Sequence, residues 1–225
     1  PISCDNVTRV MAMGELRYGI GRHSKNFVCV NLGYGIGAAT VDHGRPIYGA
    51  RGLAGELGHL CVDTTSRRQC KCGNYGCLEA LASGYAIASD GAALVAKAGR
   101  GVLWDLCQGK PDRVSAEIVA AAAQGGDAGA AEIFTRAAGY IGLGVATMIN
   151  ILNPEAVIIG GGVAQAGPPL FSIIEDSVKR HAMEQSARGL RIAPAVFGMR
   201  ATLMGAVALV LDELLNLKGP IGSAL

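Results

Sequence analysis

"NFVCVNLGYGIGAATVDHGRPIYGA", Asn26 to Ala50, holds two runs rich in β-branched and apolar residues, Phe27 to Leu32 and Ile36 to Val41. A glycine-rich turn joins them and Asp42-His43-Gly44 follows as a second turn signal, so the stretch predicts a meander of antiparallel strands. Beyond it the period changes. "LEALASGYAIA" from Leu78, "AEIVAAAAQ" from Ala116 and "AAEIFTRAAGYIGLGVATMINIL" from Ala130 carry apolar residues at helical spacing, the last ending where Pro154 cannot continue a helix. "EAVIIGGGVAQAG" from Glu155 reads as a buried strand running into a glycine turn, and "PLFSIIEDSVKRHAM" from Pro169 as a helix. "LRIAPAVF" from Leu190 is a last strand and "TLMGAVALVLDELL" from Thr202 a last, largely buried helix. Strands first, then alternating helices and strands, give an α/β protein with a mixed sheet. The opening "PISCDN" reads as the end of a strand.

The 225 residues are half apolar, enough for one sizeable core, and no low-complexity linker divides them. The expected domain is 1–217, with 218–225 a flexible tail. A net charge of +2 without long single-sign runs excludes a basic nucleic-acid or membrane footprint on this chain. Apolar runs fall short of the roughly 18 to 20 residues that span a bilayer, and no cleavable leader is visible at Pro1, so the expected place is the cytoplasm, with no membrane partner.

Seven cysteines, an odd number in a domain this large, argue against a disulfide framework. Cys4, Cys29 and Cys107 have apolar neighbours and are expected as small buried hydrophobes. Within 59–77 the pattern is different. His59 and the spacing Cys70-x-Cys72-x4-Cys77 supply one imidazole and three thiolates, a complete tetrahedral shell for Zn²⁺. Unliganded thiols and another metal are the alternatives. A redox pair more often has C-x-x-C, and an iron–sulfur cluster usually takes four cysteines. A closed shell leaves no coordination site for water, so the metal is expected to be structural. Glu56 and Glu79 flank it, and a metal that fixes the loop fixes both carboxylates and turns His59 to donate from its second nitrogen, a polar cradle for a polyhydroxylated ligand.

"GLAGELGHLCVD" with "CKCGNYGCLEALAS" resembles the signature of the ROK family, which contains bacterial sugar kinases and sugar-responsive transcriptional regulators of the xylose-repressor and N-acetylglucosamine-repressor kind. The resemblance extends through "NLGYGIGAATVDHGRPIYGA" and "IIGGGVAQAG". It implies an actin-like ATPase (sugar kinase, ribonuclease H-like) fold, mainly its second lobe, and a zinc shell of His59, Cys70, Cys72 and Cys77. It also implies sugar contacts at Asn6, Glu56, His59 and Glu79, and nucleotide-facing glycines at Gly33, Gly35, Gly37, Gly160, Gly161 and Gly162, which are vestigial if no phosphoryl transfer occurs.

The pattern breaks on the catalytic side. The family's kinases carry an Asn-Asp pair whose aspartate takes the proton from the sugar hydroxyl. Here the ungapped alignment puts Asn6 on the asparagine and Val7 on the aspartate, and a valine cannot accept a proton. Asp5 could stand in only if the register slips, and neighbouring strand residues face opposite ways. Tyr34 replaces the threonine of the family's phosphate turn, and the family's amino-terminal DxGGT loop is not among these residues. The expected function is therefore sugar or sugar-phosphate sensing by the effector region of a ROK-type regulator, as a homodimer or homotetramer, touching DNA only through an upstream winged helix-turn-helix. A glucokinase-like enzyme using ATP and Mg²⁺ is the alternative.

Overall fold

A computed structural model describes residue 2 and residues 4–215 of the chain. The expected tail at 218–225 and the domain end at 217 lie outside them.

In chain order the elements are α1 (Val7–Tyr18), β1 (Phe27–Leu32), β2 (Ile36–Asp42), β3 (Arg45–Pro46), α2 (Leu78–Ala82), α3 (Gly84–Ala98), α4 (Val102–Leu106), α5 (Ala116–Gln124) and α6 (Ala128–Leu152). They continue with β4 (Ala156–Gly160), α7 (Pro168–His181), α8 (Glu184–Ala187), β5 (Arg191–Pro194) and α9 (Ala201–Leu214). One five-stranded mixed sheet runs β3-β2-β1-β4-β5. β1 pairs antiparallel with β2 in the register Phe27 to Val41 and Leu32 to Ile36, and parallel with β4, which is parallel to β5.

Period-two alternation divides the strands between two cores. Val28, Val30, Val157 and Ile159 join the larger one with α2, α3, α5, α6 and α7, while Phe27, Cys29, Ala156 and Ile158 face the other way onto Met11 and Ala12 of α1 and Ala201 at the start of α9. Both faces of β1 and β4 are covered, which is why their sequences run continuously apolar. No helix among the described residues is long and apolar enough to cross a membrane.

Several expectations need correction. "PISCDN" does not end in a strand: Asn6 is the N-cap of α1, its side-chain oxygen accepting the Thr8 N–H at 2.8 Å. "LEALASGYAIA" is two helices, split at Ser83, which ends α2 and caps α3 through the Ala86 N–H. α9 is only half buried, with Leu203 64% and Leu214 70% exposed. Cys29 and Cys107 are buried as expected, but Cys4 is exposed.

Candidate functional site

The turn between β1 and β2 lies at the carboxyl ends of β1 and β4, the edge where α/β sheets hold ligands. Four segments converge there. The N-terminus of α1 arrives through Thr8, whose hydroxyl lies 2.7 Å from where a Cβ on Gly37 would stand. The loop after β3 is held by the Ala38 N–H, which donates to the Gly55 carbonyl at 2.8 Å. Gly55 has φ +95°, and a Cβ there would lie 2.0 Å from the Ala38 oxygen, so only glycine brings this loop onto β2. Glu56 and a single 3₁₀ turn, Leu57–His59, follow directly. The fourth segment is the start of α2, where Glu79 accepts the Ile36 N–H at 3.0 Å.

His59 joins two parts of this assembly. Its Nδ1 is 3.5 Å from Cys70 Sγ, and its Nε2 is 3.7 Å from an oxygen of the half-exposed Glu56. Cys72 and Cys77 place their sulfurs 3.7 Å apart, and the ligand atoms of His59, Cys70, Cys72 and Cys77 all lie within 4.8 Å of one another. The chain thus brings together the four residues that the spacing selected, and they could hold a metal ion. Burial, then the neighbouring sulfurs, pushes the Cys77 thiol up to about 12, whereas the Asn74 backbone N–H holds Cys72 below the ordinary thiol value. Crowded thiols of this kind resist ionising together without a cation among them.

The loop that carries the sulfurs is also docked by its own side chains. Asp63 accepts the Tyr140 hydroxyl at 2.9 Å, and Arg68 reaches Asp90 of α3 at 2.8 Å, which Arg136 of α6 also meets at 3.1 Å. Its ends are tied by the Leu78 N–H to the Leu60 carbonyl and the Val62 N–H to the Gly76 carbonyl.

The residues expected to contact a sugar lie at this one end of the sheet. Asn6 uses its oxygen as a cap and keeps its amide donors, and Glu79 commits one oxygen to Ile36 and keeps the other. The expected nucleotide glycines divide. Gly33 and Gly162 line a cavity of about 670 Å³, Gly35 leaves room for the Glu79 carboxylate, and Gly37 leaves room for Thr8. Gly160 is buried against Met11 and Ala195, and Gly161, at φ +94°, lies against the Leu32 carbonyl.

Sequence reasoning missed a latch behind the site. Asp5 accepts from Arg9 Nε at 2.7 Å with both side chains 8% exposed, Arg9 Nη1 donates to the Gly52 carbonyl at 2.9 Å, and the guanidinium lies 4.9 Å from the Tyr48 ring centre. Four-residue spacing from Asp5 to Arg9 was the available signal, unused because the segment was read as strand.

The ROK family model matches residues 1–213, and the chain belongs to the ROK family. A glucokinase from Halalkalibacterium halodurans is 35% identical over 213 residues, covering 95% of this chain and 64% of that protein. A ROK family glucokinase from Streptomyces griseus, solved with glucose and AMPPNP, superposes with a TM-score of 0.83 at 30% identity, covering 93% of this chain and 68% of that one. A ROK family transcriptional regulator homologous to the Escherichia coli MLC protein superposes with a TM-score of 0.82 at 33% identity, covering 95% and 53%. The chain thus spans roughly half to two thirds of the length of these relatives. The fold is that of the actin-like ATPases, an α/β lobe with the cysteine loop set into it.

Proposed function

We propose that this chain is the effector-binding region of a ROK-type transcriptional regulator, which binds a sugar or sugar phosphate at Asn6, Glu56, His59 and Glu79 and does not phosphorylate it. The observation that carries the reading is the start of α1. Where a kinase of this family needs a carboxylate beside the asparagine, Val7 offers only hydrocarbon, and the neighbouring carboxylate, Asp5, is already held by Arg9 at 2.7 Å. Loss of a general base costs about 10² to 10⁴ in rate.

The metal in this reading is zinc, held by His59, Cys70, Cys72 and Cys77. With Zn–S near about 2.3 Å and Zn–N near about 2.05 Å, a tetrahedron has S···S edges of about 3.8 Å and N···S edges of about 3.6 Å. The 3.7 Å between Cys72 and Cys77 and the 3.5 Å between Cys70 and His59 lie close to those edges. Bound zinc supplies rigidity, since all four positions of its shell are taken by the protein. By fixing Nδ1 of His59 it leaves Nε2 beside Glu56 for the ligand, and with Cys77 fixed the start of α2 and Glu79 follow. A cradle ordered in advance spends little entropy when the sugar arrives. Regulation then needs a sugar affinity that differs between two states of a homodimer or homotetramer whose DNA-reading heads lie upstream.

The test is calorimetric titration with a panel of hexoses, pentoses and their phosphates, with ATP consumption followed in the same samples. Saturable binding without ATP turnover supports the sensor. Sugar-dependent turnover establishes the glucokinase-like alternative, with Asp5 as the base to examine.

A further inference from the structure

Cys61 is neither a buried hydrophobe nor one of the four converging ligands. It stands two residues after His59 and is exposed. Its place in the loop is nonetheless fixed against one of those ligands. The Val62 N–H donates to the Gly76 carbonyl at 2.9 Å and the Leu78 N–H to the Leu60 carbonyl at 2.8 Å, and these bonds bracket an antiparallel bridge between Cys61 and Cys77. Bonds that flank the two residues rather than join them make Cys61 and Cys77 a non-hydrogen-bonded pair, the closer of the two antiparallel arrangements. Facing Cα atoms in such a pair come to about 4.5 Å, within the range of about 4.4 to 6.8 Å that a disulfide spans, and the side chains share one face of the ladder.

The two side chains have room to meet. Gly76, directly before Cys77, carries no side chain, and a Cβ there would lie 3.3 Å from Cys61 Sγ. The Cys61 sulfur thus rests against the backbone one residue from Cys77, and a change of rotamer turns it toward that residue. Cys77 in turn holds its sulfur 3.7 Å from that of Cys72, inside the candidate shell. The thiolate is the form that binds a metal, so a bond from Cys77 to Cys61 takes Cys77 out of the shell.

We propose that Cys61 and Cys77 form a redox switch, in which an oxidant of the peroxide class joins the two sulfurs, withdraws Cys77 from the metal and unfastens the start of α2. In the first step the Cys61 sulfur attacks one oxygen of hydrogen peroxide. The O–O bond breaks, Cys61 becomes a sulfenic acid and one water leaves. In the second step the Cys77 sulfur attacks the sulfenic sulfur. The S–S bond forms, the S–O bond breaks, and the oxygen takes a proton from solvent and leaves as a second water. Two electrons pass from the two sulfurs to the peroxide, and His59, Cys70 and Cys72 are the three ligands left to the metal. Sensor cysteines are solvent-accessible and stand beside a resolving cysteine, as exposed Cys61 stands beside Cys77. Glu79 follows Cys77 by two residues on α2, so oxidation loosens the sugar side as well. Release of metal and of sugar rests on the zinc and sugar readings, whereas the pairing of the two sulfurs does not.

The test exposes the zinc-loaded chain, wild type and Cys61→Ser, to hydrogen peroxide. A metallochromic dye follows released zinc, and peptide mapping after alkylation, without reduction, identifies the joined cysteines. The wild type is expected to release zinc at least about tenfold faster than Cys61→Ser, to yield a peptide joining Cys61 to Cys77, and to regain zinc after dithiothreitol and added Zn²⁺. Hexose affinity is expected to fall by at least about tenfold on oxidation of the wild type and to hold in Cys61→Ser. Equal rates of zinc release, a map that joins Cys72 to Cys77 or Cys61 to any other sulfur, or zinc that does not return on reduction overturns the proposal. Cys61 is exposed, so serine in its place should leave zinc content and melting unchanged, and if it does not, the wild-type map decides. A wild type isolated without zinc removes the zinc reading, and the same map still decides whether the sulfurs pair. A hexose titration that fails before oxidation removes the sugar reading alone.

Discussion

Glu56 lies 3.7 Å from Nε2 of His59, on the side of the ring opposite the 3.5 Å approach of Nδ1 to Cys70. One imidazole thereby faces a candidate metal with one nitrogen and a candidate ligand with the other, and Glu56 sits where it can serve both. Glu56→Gln keeps the shape and removes the charge. Sugar affinity should fall by at least about tenfold, because a charge-assisted hydrogen bond to a hydroxyl is lost, while zinc affinity should fall by about tenfold at most, the smaller end of what outer partners of metal histidines cost. Calorimetry with sugar and with Zn²⁺ separates the two effects. Equal loss of both would mean that Glu56 acts only through His59.

Cys77 combines the metal cluster with the first turn of α2, since it is the residue directly before Leu78. Cys77→Ser should abolish stoichiometric zinc and, with it, sugar binding, whereas the rest of the fold should persist because Asp63–Tyr140 and Arg68–Asp90 still dock the loop. Metal content by elemental analysis and helix content by circular dichroism check this. A chelator should reproduce the variant and added Zn²⁺ should reverse it in the wild type only.

Gly205 meets α1 more closely than any side chain would permit. A Cβ there would lie 1.7 Å from the Val10 carbonyl oxygen, and one on Gly14 would lie 2.9 Å from the Gly205 nitrogen, so the two helices cross backbone to backbone. Gly205→Ala must push α9 off α1. The expected cost is about 1 to 3 kcal/mol, offset only slightly by the better helix propensity of alanine, and read as a lowered denaturation midpoint. An unchanged midpoint would show that α9 can slide without loss.

Much of this was legible and some was not, for physical reasons. The β1–β2 meander, the parallel strand at Ala156 and the long α6 announced themselves through period and punctuation, because each buries whole faces. The convergence of His59, Cys70, Cys72 and Cys77 was legible because ligand chemistry restricts residue types more tightly than packing does. The start of α1 was not: its buried residues run without a break from Thr8 to Glu15, Arg9 and Gly14 among them, because the helix is covered by the sheet face on one side and by α9 on another, so no single apolar stripe appears. The contact of Tyr34, Tyr85 and Lys71 was likewise invisible, since it joins a turn, a helix start and the metal loop, far apart in sequence.

Asp127 gives a stability prediction with a pH signature. It caps α6 through the Ala130 N–H at 3.0 Å and accepts the Leu103 N–H at 3.0 Å, and the Leu103 bond is the main reason its carboxyl is held below the ordinary value. A carboxyl lowered in the folded state stabilises the protein above its unfolded pKa, and that contribution disappears as pH falls through the folded one. Asp127→Ala should therefore cost about 1 to 2 kcal/mol at pH 7, and the gap to the wild type should shrink below about pH 4. Denaturant titrations at pH 7 and pH 3 measure it; a gap that widens in acid would reverse the assigned sign.

Arg9 ties the first turn of α1 to the loop that delivers Glu56, through Asp5 on one side and the Gly52 carbonyl on the other. Its planar fork does both at once while lying over Tyr48, and a lysine can satisfy one partner only. In Arg9→Lys the charge beside Asp5 remains, so the chain should fold, but the segment from Gly52 to Glu56 loses a fixed point. Sugar affinity should drop several-fold with zinc affinity unchanged, since a bound zinc would hold His59 to Cys70, Cys72 and Cys77 independently of the latch. Arg9→Met is the harsher case. It strands Asp5, 92% covered, without its cation, and removing one partner of a buried pair costs about 3 to 5 kcal/mol, with Asp5→Asn in the same chain expected to recover part of it. If Arg9→Lys bound sugar as the wild type does, the loop would owe its position to Gly55 and β2 alone, and the latch would be a feature of stability rather than of the site.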